Sequence, residues 1–339
     1  MRKLVHMWLP HQAPEWFRRA LPENYPMEIY DPEKDYDLDT VFYYDLHGDY
    51  RETIATYLER GHRVVLDAKN EHYIQFHFHW AFLLLLQYPG QGMILISGDG
   101  AKQIPGLRIE ATPYWYWILD QPRLQEIGLD QYQPNPRREK KFFMSLGKTR
   151  VFRDYLYDGL GDLLQDSVHS YLGRDLSLPN DWKQNMNMGG SFDRYVNADW
   201  LDTTCFTLAV ETYVDDSDIS GFSLTQNDQH FLCEKTYKPL ACKHPLLMVS
   251  TQGNLAHLRN QGFETYPELW DESYDDITDW KTRIDRIIQI VRDFDTRGLD
   301  IPTVQEKLLH NSARFFDKGL TTQLLNSTVI NPLLEFVNA

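Results

Sequence analysis

The chain has 339 residues, of which 42% are apolar and 24% charged, and its formal net charge is −15. This composition excludes disordered, collagen-like and coiled-coil classes, and the length exceeds one ordinary core and points to two domains. The acidic balance argues against a non-specific binder of nucleic acid or anionic membrane. The aromatic content of 14% is high enough to line a pocket as well as fill cores.

The first half alternates strands and helices. Lys3–Leu9 reads as a first strand, although His6, Pro10 and His11 interrupt the apolar stretch, so the basic N-terminus does not read as a signal peptide. Met27–Tyr30 and Val41–Tyr44 are short apolar runs bounded by Pro and Asp, as buried strands tend to be. Arg51–Arg60 has helical spacing and stops at Gly61, His62–Leu66 is a strand ended by Asp67, Gln75–Gln87 is a buried helix, and Met93–Ser97 is a strand ended by Gly98. The longest apolar run, Trp80–Leu86, falls far short of the ~18–20 residues that span a bilayer.

Gln131–Arg138 carries two prolines and opens a basic run to Lys141, the composition of a linker. The pattern then restarts with a strand at Phe142–Leu146, a helix at Arg150–Leu164, strands at Ser167–Leu172 and Cys205–Val210, a short helix at Glu234–Cys242, a strand at Pro245–Val249 and a helix at Asn254–Gln261. From Asp276 the signal is helical, broken at Pro302 and Pro332. The expected fold is α/β, with two Rossmann-like domains facing across a cleft: residues 1–135, residues 140–320, and a C-terminal helix, 321–339, that crosses back to the first. Three cysteines, Cys205, Cys233 and Cys242, make no paired framework and fit a reducing compartment.

The segment Phe231–Tyr266 carries the most chemistry. Glu234 and Lys235 sit where a loop gives way to a helix, whose free N–H groups and positive dipole end favour a phosphate; Lys238 adds charge there. Glu234 is able to accept from a ribose diol, as acidic residues do in dinucleotide sites. On spacing alone the pair also reads as an ordinary capped helix start, and the cluster Lys148, Arg150 and Arg153 as a charged helix face.

The order Ser-Leu-Gly-Lys-Thr-Arg, then Glu211-Thr212, then Glu-Lys-Thr-x-Lys-Pro from Glu234, then His244-Pro245 and an apolar strand resembles the donor half of GT-B glycosyltransferases. It is most similar to the fucosyltransferase-like group, family ten with its viral and bacterial relatives, over roughly residues 141–290. The resemblance places Glu234 on the ribose and Lys235 on the diphosphate, makes Arg150 the first candidate for the upstream phosphate contact with Lys148 and Arg153 as neighbours, and matches Glu211 to a glutamate at the end of the preceding strand. Gly262–Asp275 resembles the continuation seen in relatives. The implied reaction is transfer of a sugar from a UDP- or GDP-linked donor to an acceptor hydroxyl by single displacement with inversion, without metal or other cofactor.

The base that takes the acceptor proton is sought in the first half. Asp67 ends a strand and ranks first, then Glu71, then Asp99 of Ser-Gly-Asp-Gly; strand-end Asp residues also cap turns. His72, His77 and His79 fix no third ligand, so they read as pocket or core residues rather than a metal site, and Asp215, Asp216 and Asp218 read as a solvated loop. Tyr114–Trp117 is either core or interdomain packing or a sugar or base platform. The acceptor is a glycan or lipopolysaccharide, as for the resembled group, or a 5-hydroxymethylpyrimidine such as 5-hydroxymethylcytosine in DNA, as for phage enzymes of the same fold, docked on the basic stretch Arg137–Arg153. A nucleotide- or sugar-binding module without catalysis is the non-enzymatic alternative. The expected location is the cytoplasm, of the host for a viral protein, with no membrane span.

Overall fold

The computed structural model describes residues 2–6, 25–45, 51–68, 79–98, 104–176, 197–214 and 230–339. The chain divides into two units, one holding Met1–Ile118 and Gly319–Ala339, the other Leu119–Asp218 and His230–Lys318. Each unit is built on a wholly parallel sheet.

The first sheet has six strands: β1 (Lys3–His6), β2 (Met27–Ile29), β3 (Thr40–Asp45), β4 (Arg63–Ala68), β5 (Gly92–Ser97) and β6 (Arg108–Thr112), in the order β2-β1-β3-β4-β5-β6. Its strands are apolar runs because both faces are covered. Val5, Phe42, Tyr44, Val64, Leu66, Ile94 and Ile96 pack with helix α1 (Arg51–Glu59) and with Leu85 of helix α2 (His79–Leu86). Leu4, Val41, Tyr43, Val65, Met93 and Leu95 point to the opposite face, as the two-residue period of a strand requires. Helix α1 ends at Gly61 (φ 90°): its N–H bonds the Leu58 carbonyl while the His62 N–H bonds that of Tyr57, a left-handed cap that glycine adopts without strain.

Two elements in this half of the chain went unread in the sequence. Strand β6 is an edge strand whose alternating Arg108 and Glu110 pair with one another at 2.7 Å, so it lacks the apolar run that marks its neighbours. Helix α3 (Trp115–Glu126) contains Pro122 and begins with the aromatic block, in which Trp115 and Trp117 are buried.

The second sheet has four strands: β7 (Lys140–Leu146), β8 (Ser167–Tyr171), β9 (Thr204–Val210) and β10 (Leu246–Val249), in the order β10-β9-β7-β8. Helices α4 (Val151–Leu160), α5 (Ala198–Thr203), α6 (Glu234–Ala241), α7 (Asn254–Asn260), α8 (Trp280–Asp293) and α9 (Pro302–Phe315) complete the unit. The helix expected to Leu164 ends at Leu160, because Gly161 takes φ 47° and the chain tightens into a 3₁₀ turn over Gly161–Asp166. Helix α8 lies on α4, where Gly159 leaves room for Ile288; a Cβ there would stand 2.5 Å from Ile288 Cδ1. Helix α9 lies on α6, with Ser312 Oγ donating to the Ala241 carbonyl at 2.9 Å.

Numbered from its own first strand, each sheet begins with the order 2-1-3-4, the doubly wound arrangement. The chain ends on the first unit. Helix α10 (Lys318–Leu325), a π-helical turn (Asn326–Ile330) and helix α11 (Asn331–Asn338) supply Val329, Ile330, Leu333, Phe336 and Val337 to the face that carries Leu4, Val41 and Tyr43. Arg63 holds α11 by donating to the Phe336 carbonyl at 2.5 Å. Among the described residues no helix is long and apolar enough to cross a membrane.

Leu333 is fully buried in this packing. Leu333→Ala is expected to lower the stability of the first unit by about 2–5 kcal/mol, read by denaturant unfolding. A loss under 1 kcal/mol would show that the terminal helices are not part of that core.

Candidate functional site

Doubly wound sheets bind ligands outside the carboxyl ends of their strands, at the point where the winding reverses. In the second unit that point lies between β7 and β9. The segments leaving β7 and β9 there, together with the start of α6, contain every donor-site candidate of the sequence.

From β7 the chain passes through Gly147, exposed Lys148 and Thr149, and half-buried Arg150, which precedes α4 in extended conformation (φ −148°, ψ 150°). Arg153 is only 5% exposed and turns back, its Nη1 donating to the Lys148 carbonyl at 2.9 Å. It braces the loop from within, whereas Lys148 is exposed and Arg150 half-buried. The Gly147 carbonyl accepts from the Gly173 N–H at 2.9 Å, and Gly173 lies so close that a Cβ would stand 2.5 Å from the Thr149 nitrogen. Side-chain-free Gly173 therefore lets the loop after β8 press the β7 loop into place.

From β9 the first residue is Glu211, which is 0% exposed. Its Oε1 accepts from the Cys233 N–H at 3.1 Å and from the Thr236 hydroxyl at 2.5 Å, while its Oε2 is buried without a partner. Glu211 thus ties the end of β9 to the first turn of α6. Two residues on, the Tyr213 ring lies 5.5 Å from the Arg150 guanidinium, so the β7 and β9 loops meet where the winding reverses.

Cys233 caps α6 in extended conformation, and Glu234 and Lys235 form its first turn, where N–H groups have no intrahelical acceptor. Lys235 Nζ donates to Glu234 Oε1 at 2.5 Å and lies 3.3 Å from Cys233 Sγ. Lys238 stands one turn further, at the spacing that brings it over Glu234. Burial opposes ionisation of Glu234, but the ammonium groups of Lys235 and Lys238 outweigh it and hold the carboxyl at about 2. Burial likewise opposes the charge on Lys235, yet its neighbours Cys233, Glu234 and Glu211 leave its pKa raised. Burial pushes Glu211 up, against the pull of Lys235 and its two donors. Arg153 is pushed down by burial and by Arg150. The result is a half-buried helix head at which Lys235 and Lys238 stand beside Glu234, above buried Glu211.

The neighbouring helix head is already filled. Buried Asp275 accepts from the Leu255 and Ala256 N–H groups at 3.0 and 3.4 Å, closing α7. Arg283, 2% exposed on α8, donates to the carbonyls of Val214, Ser250, Ile277 and Thr278, and so knits the exits of β9 and β10 together. The roles of Asp275, Arg283, Thr236 and Gly173 were missed in the sequence, because each acts on a partner at least five residues away. His244 of the His-Pro pair lies at the opposite edge, where its Nδ1 meets the Thr207 hydroxyl at 2.9 Å and its Nε2 the Thr204 carbonyl at 3.1 Å; burial holds its pKa at about 4. Its role is to pin β10 to β9.

Of the base candidates, Asp67 lies near the carboxyl end of β4 in the first unit, half-buried, where its Oδ2 accepts from the Tyr43 hydroxyl at 2.6 Å. Glu71 and Asp99 lie outside the described residues, as do His72, His77, Asp215, Asp216 and Asp218. Trp115 and Trp117 are 3% and 0% exposed, which makes them packing residues, with Tyr114 and Tyr116 half-exposed. The three cysteines are unpaired and buried. The sequence matches no protein-family model and no curated protein.

Two outcomes check this geometry. Because the Glu234 carboxyl is held below its ordinary 4.5, its stabilising effect is present above about pH 4.5 and is lost as pH falls through 2. The melting temperature of Glu234→Gln should therefore lie below that of the parent at neutral pH and converge with it as pH falls toward 2; an unchanged gap at low pH would contradict the assigned ion pair. Arg283→Ala strips four carbonyls of their donor and is expected to cost about 3 kcal/mol or more in denaturant unfolding.

Proposed function

We propose that the protein is a glycosyltransferase of the GT-B type that moves a sugar from a UDP- or GDP-linked donor to a glycan hydroxyl, with inversion and without metal. The observation that carries this reading is the head of α6. It is a helix N-terminus at the reversal point of the second sheet whose N-cap, Cys233, makes no side-chain cap bond, with Lys235 and Lys238 on its first turns and Glu211 fixing it from below. A diphosphate there meets backbone N–H groups, the dipole end and the Lys235 ammonium, and lies on the same side of the sheet as Lys148 and Arg150. Glu234 offers the acceptor oxygen for a ribose diol.

In this reading the acceptor oxygen attacks the anomeric carbon as the bond to the diphosphate breaks. The electron pair leaves with the nucleoside diphosphate, whose growing charge falls beside Lys235, Arg150 and Lys148, the electrostatic form of transition-state stabilisation. The acceptor proton passes to a carboxylate of the first unit. Asp67 is the described candidate, and the hydroxyl of Tyr43 donates to its Oδ2 and orients the carboxylate.

The basic stretch favours a glycan over DNA. Arg137 pairs with Asp199 and Arg138 with Asp300, Lys140 donates to the Gln165 carbonyl, Lys141 donates to the Val291 and Arg292 carbonyls, and Arg153 is buried. Exposed Lys148 and half-buried Arg150 remain, too few for a track along a phosphate backbone.

UDP or GDP is expected to raise the melting temperature, and Lys235→Ala to weaken nucleotide binding at least about tenfold, equal to 1.4 kcal/mol. With a panel of nucleotide sugars and glycan acceptors, Asp67→Asn should lower turnover about 10²- to 10⁴-fold while leaving nucleotide affinity unchanged. No thermal shift with any nucleoside diphosphate would defeat the reading. Binding without turnover on any acceptor would favour a non-catalytic module, and product on hydroxymethylcytosine DNA alone would favour the nucleic-acid acceptor.

A further inference from the structure

We propose that the anion docking at the head of α6 enters together with one proton, which lodges on Glu211. The inference rests on the diphosphate site proposed above and adds a property of it: ligand affinity is coupled to protonation of a residue that the ligand does not touch.

Glu211 is fully shielded from solvent, and its two oxygens are unequal. Oε1 is held by the Cys233 N–H and the Thr236 hydroxyl, whereas Oε2 has neither donor nor acceptor. A buried carboxylate is stable in its charged form only when donors or cations compensate it. Among the described residues, the groups that face it are Lys235, Glu234 and Cys233 from α6 and Arg153 from α4 with Arg150 beside it, while Arg283 of α8 donates to the nearby carbonyls of Val214 and Ser250. From β10 comes only backbone, the Val249 carbonyl accepting from the Glu211 N–H at 2.9 Å. Glu211 therefore depends on Lys235 and Arg153 for its compensation.

A diphosphate beside Lys235 claims the same ammonium. Three sets of negative groups then share it: Glu234, Glu211 and the ligand. Glu234 bonds Lys235 directly at 2.5 Å and retains 14% side-chain exposure, so it keeps its charge. Glu211 has no direct bond to a cation among its hydrogen bonds and no contact with water. It is the group whose charge the ligand displaces, and Oε2, the oxygen without a partner, is where the proton goes. The proton comes from the buffer, and the net charge of the site changes by the ligand charge plus one.

Calorimetric titration of the full chain tests this with UDP-glucose and GDP-mannose, whose diesterified diphosphates stay fully ionised between pH 5 and 8. Titrations at one pH in buffers of contrasting ionisation enthalpy should give an apparent heat that varies with the buffer, reporting uptake of up to about one proton per ligand. The dissociation constant should tighten as pH falls, by at most about tenfold per pH unit. In Glu211→Gln, which keeps an oxygen for Cys233 and Thr236, the uptake and the pH dependence should vanish. Uptake in the parent equal to that in Glu211→Gln, or no uptake in the parent, would overturn the coupling while leaving the site intact. Absence of any binding by both nucleotide sugars would overturn the site and the coupling together. Should Glu211→Gln not fold, an infrared difference spectrum of the parent replaces it: a new protonated-carboxyl band on ligand binding supports the coupling, and its absence refutes it.

Discussion

The hydrogen bonds from Cys233 and Thr236 to Glu211 set the geometry on which the donor-site candidates depend. A carboxylate with no solvent exposure is placed at the end of a central strand, where it fastens the first turn of α6 to the sheet. Such a group is costly to bury, and its retention is physically sensible only where positive charge gathers around it. That charge is Lys235 and Arg153, drawn from two different helices. One buried acid thereby fixes the direction of the helix dipole, the location of Lys235 and the inward turn of the α4 arginine.

The position of this acid follows from the winding of the sheet. In the order β10-β9-β7-β8 the winding reverses at the gap between the carboxyl ends of β7 and β9, and their connections leave toward opposite faces. Arg150 and Tyr213 reach across it, Gly173 holds the Thr149 backbone in close contact, and Arg283 fills its carbonyls' needs from the far side. Of the two helix heads near that gap, α7 is closed by Asp275 on its Leu255 and Ala256 N–H groups, whereas Glu211 reaches α6 at the Cys233 N–H and the Thr236 hydroxyl. The first sheet repeats the same initial strand order, with Asp67 near the end of its fourth strand.

The strands were legible because parallel sheets covered on both faces produce uninterrupted apolar runs: Val64 to Leu66 and Met93 to Ile96 alternate faces while staying apolar throughout. Strand β6 was not, because an edge strand carries charges such as Arg108 and Glu110, nor was helix α3, whose proline and clustered aromatics obscure the helical period. At the site, spacing alone fits both an ordinary capped helix start and a phosphate-binding helix head for Glu234 and Lys235. What no local pattern carried is the set of long connections: Thr236 to Glu211 over 25 residues, Leu255 to Asp275 over 20, Arg283 to Val214 over 69. Arg153 illustrates the same limit, since a basic residue on an amphipathic helix gives no sign in sequence of whether its guanidinium faces solvent or turns back to the Lys148 carbonyl.

The central claim is that the head of α6 is a diphosphate site, and a crystal structure with UDP or GDP bound tests it most directly. The account predicts phosphate oxygens within about 3 Å of the Glu234 and Lys235 N–H groups and of Lys235 Nζ, with Glu211 still bonded to Cys233 and Thr236. A nucleotide seated elsewhere, with the first turn of α6 left empty, would contradict it.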